Sequence, residues 1–451
     1  MQLNDTIVIT IEKVVNLGVG LAHYDGFVVF VKGSCTGDVI SAKVVNITKH
    51  YANAEIIDVI TSSKYRVRPF CKYQKTCGSC QLQHINYDYQ LRIKHEIVKD
   101  ALNEFDIPIN PVIPSPYNKH CRRKMQFSVT SDNSAENRIL VGYYQDRTHN
   151  IIDVKSCEIQ PENCTQIIDF VRDNAIKYGV SGYCEMTGKG LLRHILIRSS
   201  ASTNKNLVVL IVNSSYVTSK LKNFCEAMFQ SCTDIAGVCV NFNEKRNNTI
   251  LGNITECVCG NDFVSEKICD IEFKIGPATF FQVNPSSAEN IFKFVKSYVA
   301  ENHKNAIVLD AYAGISAFGF VLSSICNKLV SVEENKDSVA LAYEVRKLNN
   351  IKNITLYNMD AEKFFEDEVT RCRKYDVVVL DPPRKGCTQN SLDYALKLSK
   401  SDIIYVSCNP STLARDLKYL VQNGMHIKLI QPFDLFCHTY HVETVCVLSK
   451  I

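Results

Sequence analysis

Short apolar runs separated by Gly and Asp turn signals fill the first sixty residues: Thr6–Val15, Gly26–Lys32, Val39–Ile47 and Ala52–Ile60. Several strands at this close spacing predict a small β-barrel over residues 1–61, and the β-branched content of Val28–Val31 and Val39–Val45 suits a pleated, half-buried surface. The pattern is different after Ile307. There the runs Ala306–Leu309, Leu329–Val332, Ile354–Tyr357, Asp376–Leu380 and Ile403–Val406 alternate with helical stretches, which predicts an α/β domain with a doubly wound parallel sheet. Ile427–Gln431 and Val442–Leu448 add two closing strands. Between these regions, strand and helix signals mix from Tyr89 to about Ile268, broken by polar insertions at Ser131–Asn137 and Asn241–Asn248. This reads as a central α+β domain whose topology the pattern does not dictate. The expected division is therefore 1–61, 62–270 and 271–451.

Length and composition narrow the class. At 451 residues the chain has room for about three domains. Its 46% hydrophobic and 22% charged residues exclude fibrous and largely disordered proteins. A net charge of +4 permits a nucleic-acid partner without demanding one. The first residues lack a basic start followed by an apolar block, so the protein is expected to be cytoplasmic. No membrane span is expected, because the Leu207–Val212 run is only long enough for a buried strand. No obligate protein partner is evident. Twenty cysteines without an export signal are expected to stay reduced, some binding metal or doing chemistry and most filling the core.

Candidate chemistry gathers at the carboxyl ends of the predicted parallel strands. Val308-Leu309-Asp310-Ala311-Tyr312-Ala313-Gly314 is a buried strand running into a glycine turn before a helix near Ser316, a crevice for a nucleotide-like ligand. The second half of the dinucleotide fingerprint is missing, which argues against NAD. Glu333, ending the next strand, stands where an acid takes the two hydroxyls of a ribose. An adenosyl ligand fits both features. Asp360 reads either as the cap of a helix over Ala361–Phe365 or as a contact to an adenine edge. Asp381-Pro382-Pro383-Arg384-Lys385-Gly386 presents an acid on a proline-stiffened turn at the fourth strand tip. Ser407-Cys408-Asn409-Pro410 follows the fifth strand, and a helix starting near Ser411 is expected to lower the Cys408 pKa toward neutrality and make it a nucleophile. Glu443 opens an otherwise apolar last strand, where a carboxylate is either paired or kept as a proton acceptor.

These motifs, together with Phe280-Phe281-Gln282-Val283-Asn284 and His441-Val442-Glu443-Thr444, occur in the order seen in RNA uracil-5-methyltransferases, which the chain resembles over nearly its whole length. The resemblance implies a Rossmann-like class I methyltransferase domain and S-adenosylmethionine as methyl donor. It also implies that Gln282, Tyr312, Glu333 and Asp381 contact the cofactor, that Cys408 is the nucleophile and that Glu443 is the base. Uracil C5 is too weak a nucleophile to take a methyl group directly, so a thiolate must first add at C6. A base must afterwards remove the C5 proton. The target uridine has to be unpaired or flipped for both groups to reach it.

Cys71, Cys77, Cys80 and Cys157 repeat the spacing of family members that carry a [4Fe-4S] cluster. Spacing alone leaves zinc open beside it; the resemblance implies the cluster. The barrel is similar to the RNA-binding TRAM domain. Barrel and cluster together most resemble the bacterial enzymes acting on 23S ribosomal RNA, with transfer RNA as the alternative. Basic and aromatic residues at Lys64–Lys75 and Arg122–Phe127, joined by Arg193-His194, are candidates to track phosphates and stack bases. Two rival readings are an exocyclic-amine methyltransferase, which needs no cysteine nucleophile, and a non-catalytic iron-sulfur RNA-binding protein.

Overall fold

In a computed structural model of the chain, which describes residues 1–132, 138–146 and 148–450, the amino-terminal runs form one six-stranded sheet. The expected strand Thr6–Val15 is broken at Ile11–Glu12 into Thr6–Thr10 and Lys13–Val15. The first half pairs with Val39–Ile47 and the second with Val19–Tyr24. Since the two halves are consecutive in the chain, the two edges of the sheet are covalently joined and it closes into the expected barrel. Val19–Tyr24 is a strand that the pattern conceals, because Gly18 and Gly20 interrupt its apolar run. Gly20 is required there, since a β-carbon would stand 2.0 Å from Ser34 Oγ.

The central region is a mixed sheet of seven strands in the order Ile254–Gly260, Ile235–Phe242, Asn206–Val212, Leu192–Ser199, Lys124–Ser131, Ile139–Tyr144 and Ile151–Asp153. Helices Asn163–Asn174 and Ser219–Ser231 cover one face of it. The other face joins the core of the carboxyl-terminal domain through Leu196, Leu207, Val209 and Ile211. Asn206–Val212 is buried along its whole length, which explains why its sequence shows no polar alternation. The hairpin Val264–Ile268/Ile271–Ile275 straddles the boundary expected at 270. Of the polar insertion at Ser131–Asn137, residues 133–137 lie outside the described residues.

The third sheet has the order Ile354–Asn358, Lys328–Glu333, Ile307–Ala311, Tyr375–Leu380, Ser399–Ser407, Glu443–Lys450 and Met425–Phe433. The first five strands are parallel, Glu443–Lys450 runs against them, and Met425–Phe433, antiparallel to Glu443–Lys450, runs with them again, the expected Rossmann-like arrangement. Its helices start where the sequence supplies a capping side chain. Asn284, Asn335, Asp360, Thr388 and Asn409 each accept a backbone N–H of the first turn. The strand order reverses between Lys328–Glu333 and Tyr375–Leu380, on either side of Ile307–Ala311, and this opens a crevice at their carboxyl ends. No helix among the described residues is long and apolar enough to cross a membrane.

The helix Tyr87–Ala101 ties the cysteine-bearing segment to the third sheet. Lys94, fully buried, reaches Asp434 Oδ1 at 2.5 Å and donates to the Phe436 carbonyl at 2.9 Å. Tyr87 donates to the other Asp434 oxygen at 2.6 Å. Gln90 meets His438 Nδ1 at 3.2 Å, and the Leu82 N–H donates to the His438 carbonyl. The loop 434–442 that leads into Glu443 is thus held from outside its own domain. Lys94→Met leaves the Asp434 charge buried without its cation and is expected to cost about 3–5 kcal/mol in a denaturant titration, whereas Lys94→Met with Asp434→Leu should recover much of that loss. A single-variant cost no greater than that of an ordinary surface change would show that the pair does not carry this junction.

Candidate active site

The crevice holds a pocket of about 370 Å³ lined by Phe280, Phe281, Gln282, Tyr312, Gly314, Phe318 and Asp381, among others. The glycine loop has positive φ at Tyr312 (59°) and Gly314 (55°), so the chain doubles back and leaves its backbone open to a ligand. Glu333 is not part of the lining. It stands behind the loop, where Oε2 accepts the Gly314 N–H at 2.8 Å and Oε1 accepts the Asn335 N–H at 2.8 Å. Asp310 lies deeper still, accepting from the Gly319 N–H and the Ser331 hydroxyl, with Oδ1 unpartnered and burial pushing its pKa up to about 8. Tyr312 turns its hydroxyl to Ser391 at 3.2 Å. Asp360 accepts the Lys363 N–H, the capping alternative of its two readings. The aromatic walls Phe280 and Phe318 and the loop-holding Arg198, which donates to the Pro277 and Thr279 carbonyls, are additions that no linear motif marks.

Cys408, Glu443, Asp381 and Arg384 meet at the strand tips, each within the electrostatic reach of at least one other. Asp381 is pushed up to about 7 by burial alone. Burial, and then the charge of Asp381, hold Glu443 well above the usual carboxylate range. The thiol of Cys408 goes up to about 11, through burial first and the Glu443 charge second. This overturns the expected lowering by the helix. That helix does begin at Pro410, but Asn409 already accepts its Ser411 N–H, and burial of the thiol together with the acids beside it outweighs the dipole. Arg384, to which the sequence reading assigned no role, is the cation that opposes the shift at both Cys408 and Glu443. Its carbonyl is pinned by Asn409 Nδ2 and Thr412 Oγ1, each at 3.1 Å, which fixes the turn after Asp381. Cys387, the other thiol near Asp381, is buried against Tyr405 and raised to about 12 by that burial.

An adenosyl ligand bearing a positive charge suits this pocket. Aromatic side chains flank it, open backbone lines it, and Asp381 lies at its wall with no hydrogen bond or cation offsetting its burial.

The cysteine turn docks on the segment carrying Cys157: the Asp146 N–H donates to the Thr76 carbonyl, and the Lys155 N–H to the Tyr73 hydroxyl. Burial, then the charges of Cys71 and Cys77, raise Cys157 to about 11; Cys80 is raised by burial and by the charges of all three others. The four thiols therefore share one place. Even so, among the described residues no three His, Cys, Asp or Glu side chains gather as ligands of a single ion. Two basic candidates for RNA are otherwise engaged. Arg66 pairs with the buried Asp38 of the barrel, and Arg193 donates to the Asn243 and Lys245 carbonyls over the ring of Tyr183. His194 is driven down to about 4 by burial.

A family model described as tRNA (uracil-5-)-methyltransferase matches residues 253–451. A relative from Clostridium tetani, named an RNA methyltransferase, is 33% identical over 100% of this chain and 97% of its own; one from Halalkalibacterium halodurans, also named an RNA methyltransferase, is 34% identical over 99% and 97%. The crystal structure of the Pyrococcus abyssi tRNA (uracil-54, C5)-methyltransferase in complex with S-adenosyl-L-homocysteine shares the fold, with a TM-score of 0.80, 24% identity, and coverage of 98% of this chain and 100% of that one. Agreement over the full length, with the uracil-5-methyltransferase model on the domain that holds the pocket, identifies the chain as an enzyme of the S-adenosylmethionine-dependent RNA uracil-5-methyltransferase family.

Proposed function

We propose that the enzyme methylates C5 of a uridine in RNA through a covalent adduct on Cys408, which Glu443 helps to resolve. The observation that carries this reading is the meeting of a half-buried thiol, a dry carboxyl and one arginine beside the pocket wall at Asp381. Gln282, Tyr312 and Asp381 hold the methyl donor in the pocket, with Glu333 fixing the glycine loop from behind and within reach of a ribose. When bound, S-adenosylmethionine supplies an electrophilic methyl group on a sulfonium.

The chain's residues do the rest. Cys408 loses its proton and its sulfur adds to C6 of the uracil, so that the ring becomes an enolate nucleophilic at C5. After C5 has gained the methyl group it still carries its hydrogen. Glu443, as carboxylate, removes that proton; the C5–C6 double bond re-forms and the C6–S bond breaks, releasing Cys408. Arg384 favours the anionic form of both groups, which burial otherwise opposes. An exocyclic-amine methyltransferase would have no use for this thiol and carboxyl, and a purely structural RNA-binding protein none for the pocket.

The barrel, as a TRAM-like domain, serves RNA binding in this reading, and Cys71, Cys77, Cys80 and Cys157 hold a [4Fe-4S] cluster. Such a cluster takes one thiolate per iron, so its ligands stand farther apart than those of one zinc ion. The mutual electrostatic reach of the four thiols supports a shared site, and the resemblance favours the cluster over zinc as its occupant. The transfer chemistry is redox-neutral, so the cluster is structural or docks RNA. The resemblance favours 23S ribosomal RNA as substrate, whereas the description of the matching family model favours transfer RNA.

Cys408→Ala should abolish methyl transfer to RNA from a strain lacking the enzyme while keeping affinity for S-adenosylhomocysteine, and Cys387→Ala should keep turnover; the reverse result reassigns the nucleophile. Assaying purified ribosomal and transfer RNA separately decides the substrate class.

Glu443→Gln should accumulate a methylated protein–RNA adduct on denaturing gels; normal turnover without adduct would give the proton to another base. The same variant reports the carboxyl's burial. A folded-state pKa raised above the unfolded value gives stability that is present at low pH and lost as pH rises through the folded pKa. Glu443→Gln should therefore melt above the wild type near about pH 8, with the difference shrinking toward about pH 5.

Protein purified without oxygen should be brown, with iron and sulfide each near about four per chain. A colourless protein holding one zinc would defeat the cluster assignment.

A further inference from the structure

Beyond Phe281 and Gln282, which also line the cofactor pocket, lies a second, shallow hollow, open to solvent, that the reaction above does not use. Its polar wall is Arg123, Lys124, Arg198 and Ser199, from two neighbouring strands of the central sheet. Lys124 and Arg198 are directly opposite each other in the antiparallel register, a pairing of like charges that costs stability unless something negative lies between or above them. Among the described residues no acid acts on either member of this pair. Arg198 is 3% exposed, and its Nε has no partner. Burial draws Arg198 down to about 10, with no acid opposing the shift. Burial, then the charges of Arg198 and Arg122, draw Lys124 down to about 8. Glu266, the acid felt by Arg123, already accepts the N–H groups of Ala201 and Ser202.

We propose that this hollow is an anion site which takes a phosphodiester of the RNA strand entering the active site, with Arg123, Lys124 and Arg198 as its donors. The proposal rests on the reading of the enzyme as an RNA methyltransferase. One buried and one part-buried guanidinium group, with a part-buried ammonium beside them, suit a doubly oxygenated, delocalised anion better than a water cluster. Arg122, exposed beside Lys124, extends the positive surface outward along the strand's path. Since Phe281 and Gln282 form the wall common to both cavities, a backbone phosphate held here sets the register of the strand relative to the methyl donor. Phosphate contacts of this kind position a nucleic acid without reading its bases. The carboxylate at the amino-acid end of the cofactor is the competing anion.

The full-length protein with Lys124→Gln separates the two, because among the described residues no acid acts on that ammonium. Binding of a uridine-rich single-stranded RNA oligonucleotide, followed between about 50 and 200 mM salt, should weaken several-fold, and the slope of log affinity against log salt should become shallower by about 0.7, the value for one lost phosphate contact on a single strand. Affinity for S-adenosylhomocysteine should be unchanged, and Lys124→Arg should restore the slope. An unchanged slope overturns the proposal. So does a loss of S-adenosylhomocysteine affinity with the slope intact, which would assign the hollow to the cofactor. Methylation by the wild-type protein, assayed in parallel, keeps the two readings apart: an RNA anchor can fail while turnover stands, but the methyltransferase reading fails only if the wild type does not methylate.

Discussion

The buried pair of Lys94 and Asp434 joins three parts of the chain that chemistry requires to be in one place. Asp434 begins the loop that delivers Glu443, and its backbone is also held by Ser287 and by Ile113. Lys94 comes from the helix that follows the cysteine segment, and the neighbouring Gln90 reaches His438. An ion pair of this kind contributes little net stability over an apolar contact, but it tolerates almost no displacement, because either charge alone is costly in a dry interior. It therefore defines the geometry of the junction more than it strengthens it. The last strand of the catalytic sheet is positioned by residues three hundred positions away for this reason.

Dryness has a second consequence at the site itself. Asp310 and Glu443 are buried acids and Asp381 a part-buried one, all three with raised pKa values, and Cys408 is a raised thiol beside two of them. Such a cluster is unfavourable in the resting protein as charge accumulates, with Arg384 as the nearby counter-charge to Cys408 and Glu443. A cationic ligand in the pocket relieves that imbalance, so binding of a positively charged methyl donor and ionisation of the catalytic groups are coupled by simple electrostatics.

The central sheet serves both neighbours. One of its faces completes the core shared with the hairpin Val264–Ile268/Ile271–Ile275 and the helix Pro285–Asn302. Arg198 from its middle strand holds the carbonyls of Pro277 and Thr279, which fixes the loop from which Phe281 and Gln282 enter the pocket. The boundary expected near residue 270 is therefore packed continuously, and the loop that carries Phe281 and Gln282 is held from both sides of it.

Local signals determined much of this protein. The parallel strands were legible because each is a short apolar run ended by a capping residue or a glycine turn, and the helices because Asn284, Asn335, Asp360, Thr388 and Asn409 satisfy N–H groups within their own first turns. Strand-tip residues such as Asp381 and Cys408 were legible for the same reason, since a parallel sheet brings its carboxyl ends together whatever surrounds them. The strand Val19–Tyr24 was not, because its Gly20 answers to Ser34, a partner on another segment of the barrel. Nor were the ionisation states. The prediction for Cys408 followed from the nearest helix, but desolvation and the acids of two other strands outweigh that dipole. Engagement of Arg66 and Arg193 inside the fold, the opposition of Lys124 and Arg198, and the burial of Lys94 against Asp434 likewise depend on partners distant in sequence. Charge interacts through space and burial is a property of the whole packing, so these were decided by the tertiary structure alone.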